Sequence, residues 1–165
     1  MRDNEWLEEK LESIWAQYFN DVEKINSIVI KFGKKARSRL GSIKQLHSYK
    51  SKNDNDSVIT LTGYFKDERV PEYIIDSTIA HELCHYAHGF SSPHPQASKH
   101  PHSGGMVDNE LKKRGFGQQL KDQKKWLKET WPIIIKNEKI KHKRYRRKNN
   151  QTRSLAQLVA RIFDF

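Results

Sequence analysis

The 165 residues hold one cysteine, Cys84, so no intramolecular disulfide can staple the fold and no cysteine-rich zinc ribbon can form. No apolar run approaches the ~20 residues that cross a bilayer. The N-terminus is acidic and amphipathic rather than a basic segment followed by an apolar leader. A soluble cytoplasmic chain with no membrane partner is the expectation. Hydrophobic residues are scarce at 35% and charged ones reach 31%, so the core must be modest. Seventeen Trp, Tyr and Phe residues supply much of its filling and argue against disorder. The length suits one domain with an appended tail.

Charge is unevenly spread. Residues 1–110 carry a net −2, residues 111–148 a net +12, and the remainder +1. A near-neutral body with a basic appendage points to a separate electrostatic task for the appendage.

The stretch His81-Glu82-Leu83-Cys84-His85 carries the chemistry. Histidines four apart on a helix share one face, about 6 Å apart along the axis, and can converge on one zinc ion. Glu82 follows the first of them, where its carboxylate can reach a water on that ion. This is the His-Glu-x-x-His pattern of zinc peptidases, in which the glutamate acts as general base. The surroundings fit a helix over residues 71–88. Pro71 suits its first turn, Ile74, Ile75, Thr78, Ile79, Leu83 and Tyr86 recur at helical spacing, and Gly89 is a stop signal. Cys84 reads as a small buried hydrophobe.

The remaining pattern describes an α+β protein. Residues 4–20 form an amphipathic helix through Trp6, Leu7, Leu11, Ile14, Trp15, Tyr18 and Phe19. Three short β-branched stretches, 27–32, 38–47 (with Gly41 as a candidate bulge) and 58–62, form a small antiparallel sheet. Residues 58–62 are the candidate edge strand beside the metal, able to pair with extended substrate. Residues 89–105 form a loop rich in Ser, Pro, His and Gly. A short helix follows from Met106 to Arg114, ended by Gly115, then an amphipathic helix over 118–131 broken at Pro132. Leu155, Leu158, Val159, Ile162 and Phe163 mark an apolar stripe on a C-terminal helix, expected to pack back on the domain.

A catalytic zinc needs a third protein ligand and an open position. His88 lies seven residues from His81, roughly 10.5 Å along the axis, which suits a helix cap or an outer partner better than a third imidazole on the same ion. His94 reads as a solvated loop residue. A carboxylate ligand would come from Asp108 or Glu110 on the next helix, and that alternative stays open. His88, His94 and Tyr86 are candidate oxyanion partners.

The run from Ile75 to His85 resembles the active-site helix of the SprT-like (Spartan-type) metallopeptidases. Arg39-Leu40-Gly41-Ser42-Ile43 and Val58-Ile59-Thr60-Leu61 are similar to that family's upstream strands, and His102-Ser103-Gly104-Gly105-Met106 to its downstream segment. The resemblance covers roughly residues 5–115. It implies a zinc peptidase domain over residues 1–115, one Zn(2+) per chain, and a third histidine on the loop after the motif helix. By its apolar residue four positions on, that histidine is His102, with His100 as competitor and Glu110 behind both. Relatives tend to carry bulkier residues where this chain has Gly104-Gly105.

Residues 116–165 then read as a basic helical extension. Lys141, Lys143, Arg144, Arg146, Arg147 and Lys148 can neutralise phosphates, and Tyr145 can stack on a base. The resemblance leans the same way, since eukaryotic SprT-like members cleave proteins crosslinked to DNA. The expectation is a zinc endopeptidase acting on nucleic-acid-associated protein, with nucleoid association as one location. Its rivals are a nucleic-acid-binding protein with structural zinc or an inert peptidase, and a compact gluzincin-like peptidase using Glu110.

Overall fold

A computed structural model describes residues 2–47 and 55–138. The chain order is helix α1 (Asn4–Tyr18), strands β1 (Ile28–Phe32), β2 (Gly41–His47) and β3 (Asn55–Leu61), helix α2 (Glu72–Ala87), helix α3 (Met106–Leu111) and helix α4 (Gly117–Glu129). Residues 131–138 are also helical. The expected α+β class and the three strands are present. Residues 141–148 and the apolar stripe of 155–163 lie outside the described residues. Contacts divide the chain into two compact units, one ending at Gln123 and the other beginning at Lys124, so the division falls inside α4. No helix among the described residues is long and apolar enough to cross a membrane.

α1 starts where Asp3 caps it by accepting the Trp6 N–H at 2.9 Å. It buries Leu7, Leu11, Ile14 and Trp15, the inward stripe its periodicity demands. α2 has no such single stripe. Ile74, Ile75, Ser77, Thr78, Ile79, Ala80, Glu82, Leu83, Cys84, His85 and Tyr86 are all buried, because sheet, α1 and α3 cover it on several sides. Its buried hydroxyls are satisfied within the helix: Ser77 donates to the Tyr73 carbonyl at 2.6 Å and Thr78 to that of Ile74 at 2.7 Å.

The sheet order is β1-β3-β2, with β1 parallel and β2 antiparallel to β3. The sheet is therefore mixed rather than purely antiparallel. The reason is the connection of residues 33–40, which crosses the end of β3 instead of forming a hairpin. Thr62 clamps that crossing. Its N–H donates to the Leu40 carbonyl at 2.8 Å, and its hydroxyl bonds both the N–H (3.0 Å) and the carbonyl (2.8 Å) of Ala36. Gly33 and Gly63 complete the clamp, donating to the Leu61 and Lys34 carbonyls. Hydrophobic alternation marks each strand but does not name its neighbour, so this crossing was not legible as such.

Two consequences follow for the site. β3 is the central strand, so the 58–62 stretch is not an edge; β2 is the edge that packs against α2. The ladder runs unbroken from Gly41↔Leu61 to His47↔Asn55, so Gly41 is not a bulge. Because Leu40 bonds Thr62, the antiparallel alternation turns the backbone N–H and C=O groups of Gly41, Ile43 and Gln45 outward.

A π turn over Lys112–Phe116 follows α3, and within it Gly115 takes left-handed backbone at φ +95°, a kink that ends the third helix before α4 begins, as expected. Arg114 from that turn anchors it to the end of α1. It reaches both Asp21 oxygens at 2.6 and 3.0 Å, Glu110 at 2.8 Å and the Tyr18 carbonyl, and lies over the Phe19 ring at 4.3 Å. The guanidinium holds the Asp21 carboxyl below its ordinary 3.8. The stability Asp21 contributes is thus complete above that value and drains as pH falls through the lowered one. Arg114→Met is expected to cost about 2 kcal/mol in urea denaturation at neutral pH, with the gap to wild type narrowing as pH falls below the ordinary carboxylate range.

Candidate metal centre

α2 presents His81 and His85 one turn apart, as their spacing requires. Their Nε2 atoms stand 3.2 Å apart. Tetrahedral zinc with imidazole bonds of about 2.0–2.1 Å places its ligand atoms roughly 3.3 Å from each other. His102 arrives from the loop after the helix. Its ring centroid lies 5.5 Å from that of His81 and 4.8 Å from that of His85. One ligand atom from each of the three lies within 4.8 Å of the others, close enough to hold a metal ion.

The electrostatics suit a cation. Burial, with help from neighbouring imidazoles, holds His81 and His85 down to about 4, so both rings are neutral and offer lone pairs. Asp108, in the first turn of α3, pulls His81 the other way. The buried Nδ1 of His85 has no hydrogen-bond partner among the described residues. His102 is exposed, which leaves the cluster open on that flank. Gly104 and Gly105, just beyond it, both take left-handed backbone at φ +60° and +69°. Bulkier residues adopt that conformation only with strain, which gives the two glycines a physical reason in this chain.

Glu82 sits beside the histidines but faces the sheet. It is only 5% exposed. Burial pushes its carboxyl up to about 7, opposed by a hydrogen bond from the outward N–H of Ile43 and by the charge of Arg39. A Cβ on Gly41 would fall 2.6 Å from Glu82 Oε1 and 2.9 Å from the Thr78 methyl. The edge strand thus lacks a side chain where the carboxylate needs room. A glycine inside a strand signals a close approach as well as a bulge, and the close approach is what occurs.

The other candidates lie elsewhere. The Glu110 carboxylate is bonded by Arg114 at 2.8 Å and is not part of the histidine cluster. His100 is outside the cluster too. His94 is not simply solvated: its Nε2–H donates to the Glu23 carbonyl at 2.9 Å and its ring meets Tyr86 edge-on. Tyr86 is fully buried, and its hydroxyl donates to Asn26 at 2.9 Å and accepts the Ile25 N–H, so it is a structural tie rather than an oxyanion partner. His88 caps α2 through its N–H to the Cys84 carbonyl. Cys84 is fully buried and its thiol is pushed up to about 12, which makes it inert. Lys141, Lys143, Arg144, Tyr145, Arg146, Arg147 and Lys148 fall outside the described residues.

Gly41, Ile43 and Arg39 act on Glu82; the sequence marked their stretch as a strand but not this contact. Their roles depend on which strand packs against α2. The chain matches no family model, no characterised protein and no solved structure.

Two outcomes are expected. Replacing His81, His85 or His102 by Ala should strip bound metal from the purified protein, measured by plasma emission, while His94→Ala, His100→Ala and Glu110→Ala should keep it. Gly41→Ala should cost about 1–3 kcal/mol by overpacking, and a double-mutant cycle should show most of that cost gone when Glu82 is also replaced by Ala.

Proposed function

We propose that this chain is a zinc-dependent metalloendopeptidase of the SprT-like type, with His81, His85 and His102 as zinc ligands and Glu82 as general base. The observation that carries the reading is the burial of Glu82 beside three convergent imidazoles. A structural zinc has no use for such a carboxylate, and a carboxylate raised by burial is suited to exchanging protons near neutral pH. When bound, zinc would supply Lewis acidity at the scissile carbonyl and lower the pKa of a water toward ~7.

The chain's own groups then have defined tasks. A Glu82 oxygen takes a proton from the attacking water and returns it to the nitrogen of the departing amine. The Ile43 N–H holds that carboxylate in place, and Gly41 leaves it room. The outward groups of β2 that Glu82 does not use, those of Gly41 and Gln45 and the Ile43 carbonyl, give an extended polypeptide a strand to pair with beside Glu82. The basic run of Lys141–Lys148 supports action near nucleic acid, where protein bound or crosslinked to it would be the substrate.

The test is digestion of casein by wild type and by Glu82→Gln, with metal content measured on both and with single-stranded DNA present or absent. One zinc per chain in each protein is expected. The variant should digest about a hundredfold to ten-thousandfold more slowly, and DNA should stimulate the wild type. Digestion by Glu82→Gln at the wild-type rate would sink the assignment of the base.

A further inference from the structure

α2 ends in a left-handed cap that sets one aromatic ring against the metal cluster. Gly89 takes left-handed backbone at φ +77°. Its N–H donates to the Tyr86 carbonyl at 3.0 Å, and the Phe90 N–H donates to that of His85 at 2.9 Å. This pair of bonds is the Schellman pattern, in which the residue after the glycine folds back on the helix side chain five positions earlier. Here that side chain is one of the three clustered imidazoles. The Phe90 ring meets His85 edge-on, with centroids 6.1 Å apart. Ser91 is left-handed too, at φ +60°, which a residue with a side chain adopts only with strain. A chain of hydrogen bonds holds it there. The Tyr86 hydroxyl donates to Asn26 at 2.9 Å, the Asn26 amide to the Ser57 hydroxyl at 3.0 Å, and that hydroxyl to the Ser91 carbonyl at 2.7 Å. On the other side, a Cβ on Gly89 would meet the Pro95 and His94 carbonyl oxygens at 2.5 and 2.6 Å, so the loop closes tightly over the turn. Phe90 is thus fixed from both sides, yet it stays partly exposed.

We propose that Phe90 determines specificity: its ring walls the site on the His85 flank and packs against an apolar side chain of the polypeptide next to the scissile bond. This rests on the peptidase reading and adds a substrate class to it. The chemistry of the flank selects the occupant. Residues 83–98 contain no Asp, Glu, Lys or Arg, so nothing on this segment would compensate a charged side chain for the water it gives up. An aliphatic or aromatic side chain gains by leaving water there and by contact with the ring. The wall is also set apart from the proton transfer. Ser57, which bonds Ser91, pairs with Gln45, whereas Glu82 lies against Gly41 at the other end of β2. The effect should therefore appear as a ratio between substrates. A ring that only finished the cap would affect helix stability and zinc retention, and would leave the choice among peptides unmoved.

The experiment uses the full chain loaded with zinc. Binding is read by fluorescence anisotropy on Glu82→Gln, which keeps the wall intact. The probes are labelled peptides with Leu-Leu, Asn-Asn or Asp-Asp at the centre of one Ser/Gly background. The Leu-Leu peptide should bind about tenfold tighter than the Asn-Asn peptide, whose side chains are of similar size, and the Asp-Asp peptide no better than the latter. Adding Phe90→Gln should bring the ratio close to one with zinc content unchanged, and Phe90→Leu should keep most of it. Turnover by the enzyme with Glu82 intact should rank the peptides in the same order in kcat/KM. Equal affinity for the Leu-Leu and Asn-Asn peptides with Phe90 in place would overturn the proposal. So would a ratio that survives Phe90→Gln, or loss of zinc from that variant, which would make the ring a cap and shield for His85. If the ratio stands and Phe90→Gln removes it, but none of the peptides is ever cut, the peptidase reading fails and the role of the ring in binding does not.

Discussion

Burying the carboxylate of Glu82 between α2 and β2 is the constraint around which this structure is arranged. An ionisable group removed from water costs several kcal/mol unless it is hydrogen-bonded or changes its charge state. Here both remedies operate: the Ile43 N–H bonds the carboxylate, and burial raises its pKa to about 7. The bond is available only because β2 is an edge strand. A β2 in the middle of the sheet would have spent that N–H on a neighbour. The room is available only because residue 41 is glycine, since any Cβ there would meet the carboxylate oxygen at 2.6 Å.

The topology follows from the same requirement. β2 reaches the edge next to α2 because residues 33–40 cross the end of β3, and Thr62 holds that crossing with bonds from both its backbone and its hydroxyl. α2 is covered on several sides, which fixes His81, Glu82 and His85 in mutual register. The third imidazole comes from a loop whose two left-handed glycines turn the chain into α3 just after His102. Arg114 then locks the α3–α4 junction against the end of α1, so the element that follows His102 is itself anchored. Rigid elements thus carry two of the three imidazoles and the carboxylate, and the more exposed His102 completes the set from the open side.

What could be read from the residues, and what could not, divides along the range of the interactions. The helix bearing the motif was legible because its signals are local: a proline at the start, helical spacing of Ile74, Ile75, Ile79 and Leu83, and the four-residue interval between the histidines. The third imidazole was reachable only through family resemblance, since the residues alone left Asp108 and Glu110 open. Sheet order was not legible, because alternation within 27–32, 38–47 and 58–62 says which residues face inward but not which strand lies between the others. That gap also moved the edge from 58–62 to Gly41–His47 and turned Gly41 from a bulge into a clearance for Glu82. The break at Gly115 was legible because a glycine after the last periodic residue is a local stop signal, and its left-handed backbone at φ +95° is that stop.

The proposal at the centre is that His81, His85 and His102 hold one zinc ion, with the buried Glu82 carboxylate held between α2 and β2 as its base. Its most direct measurement is a crystal structure of the zinc-loaded protein with anomalous data collected at the zinc edge. The account predicts one strong peak per chain, bonded by one ring nitrogen from each of the three histidines, with the Glu82 carboxylate turned to the fourth position and still bonded by Ile43. No peak at these histidines, or a peak bonded instead by His100 or Glu110, would contradict it.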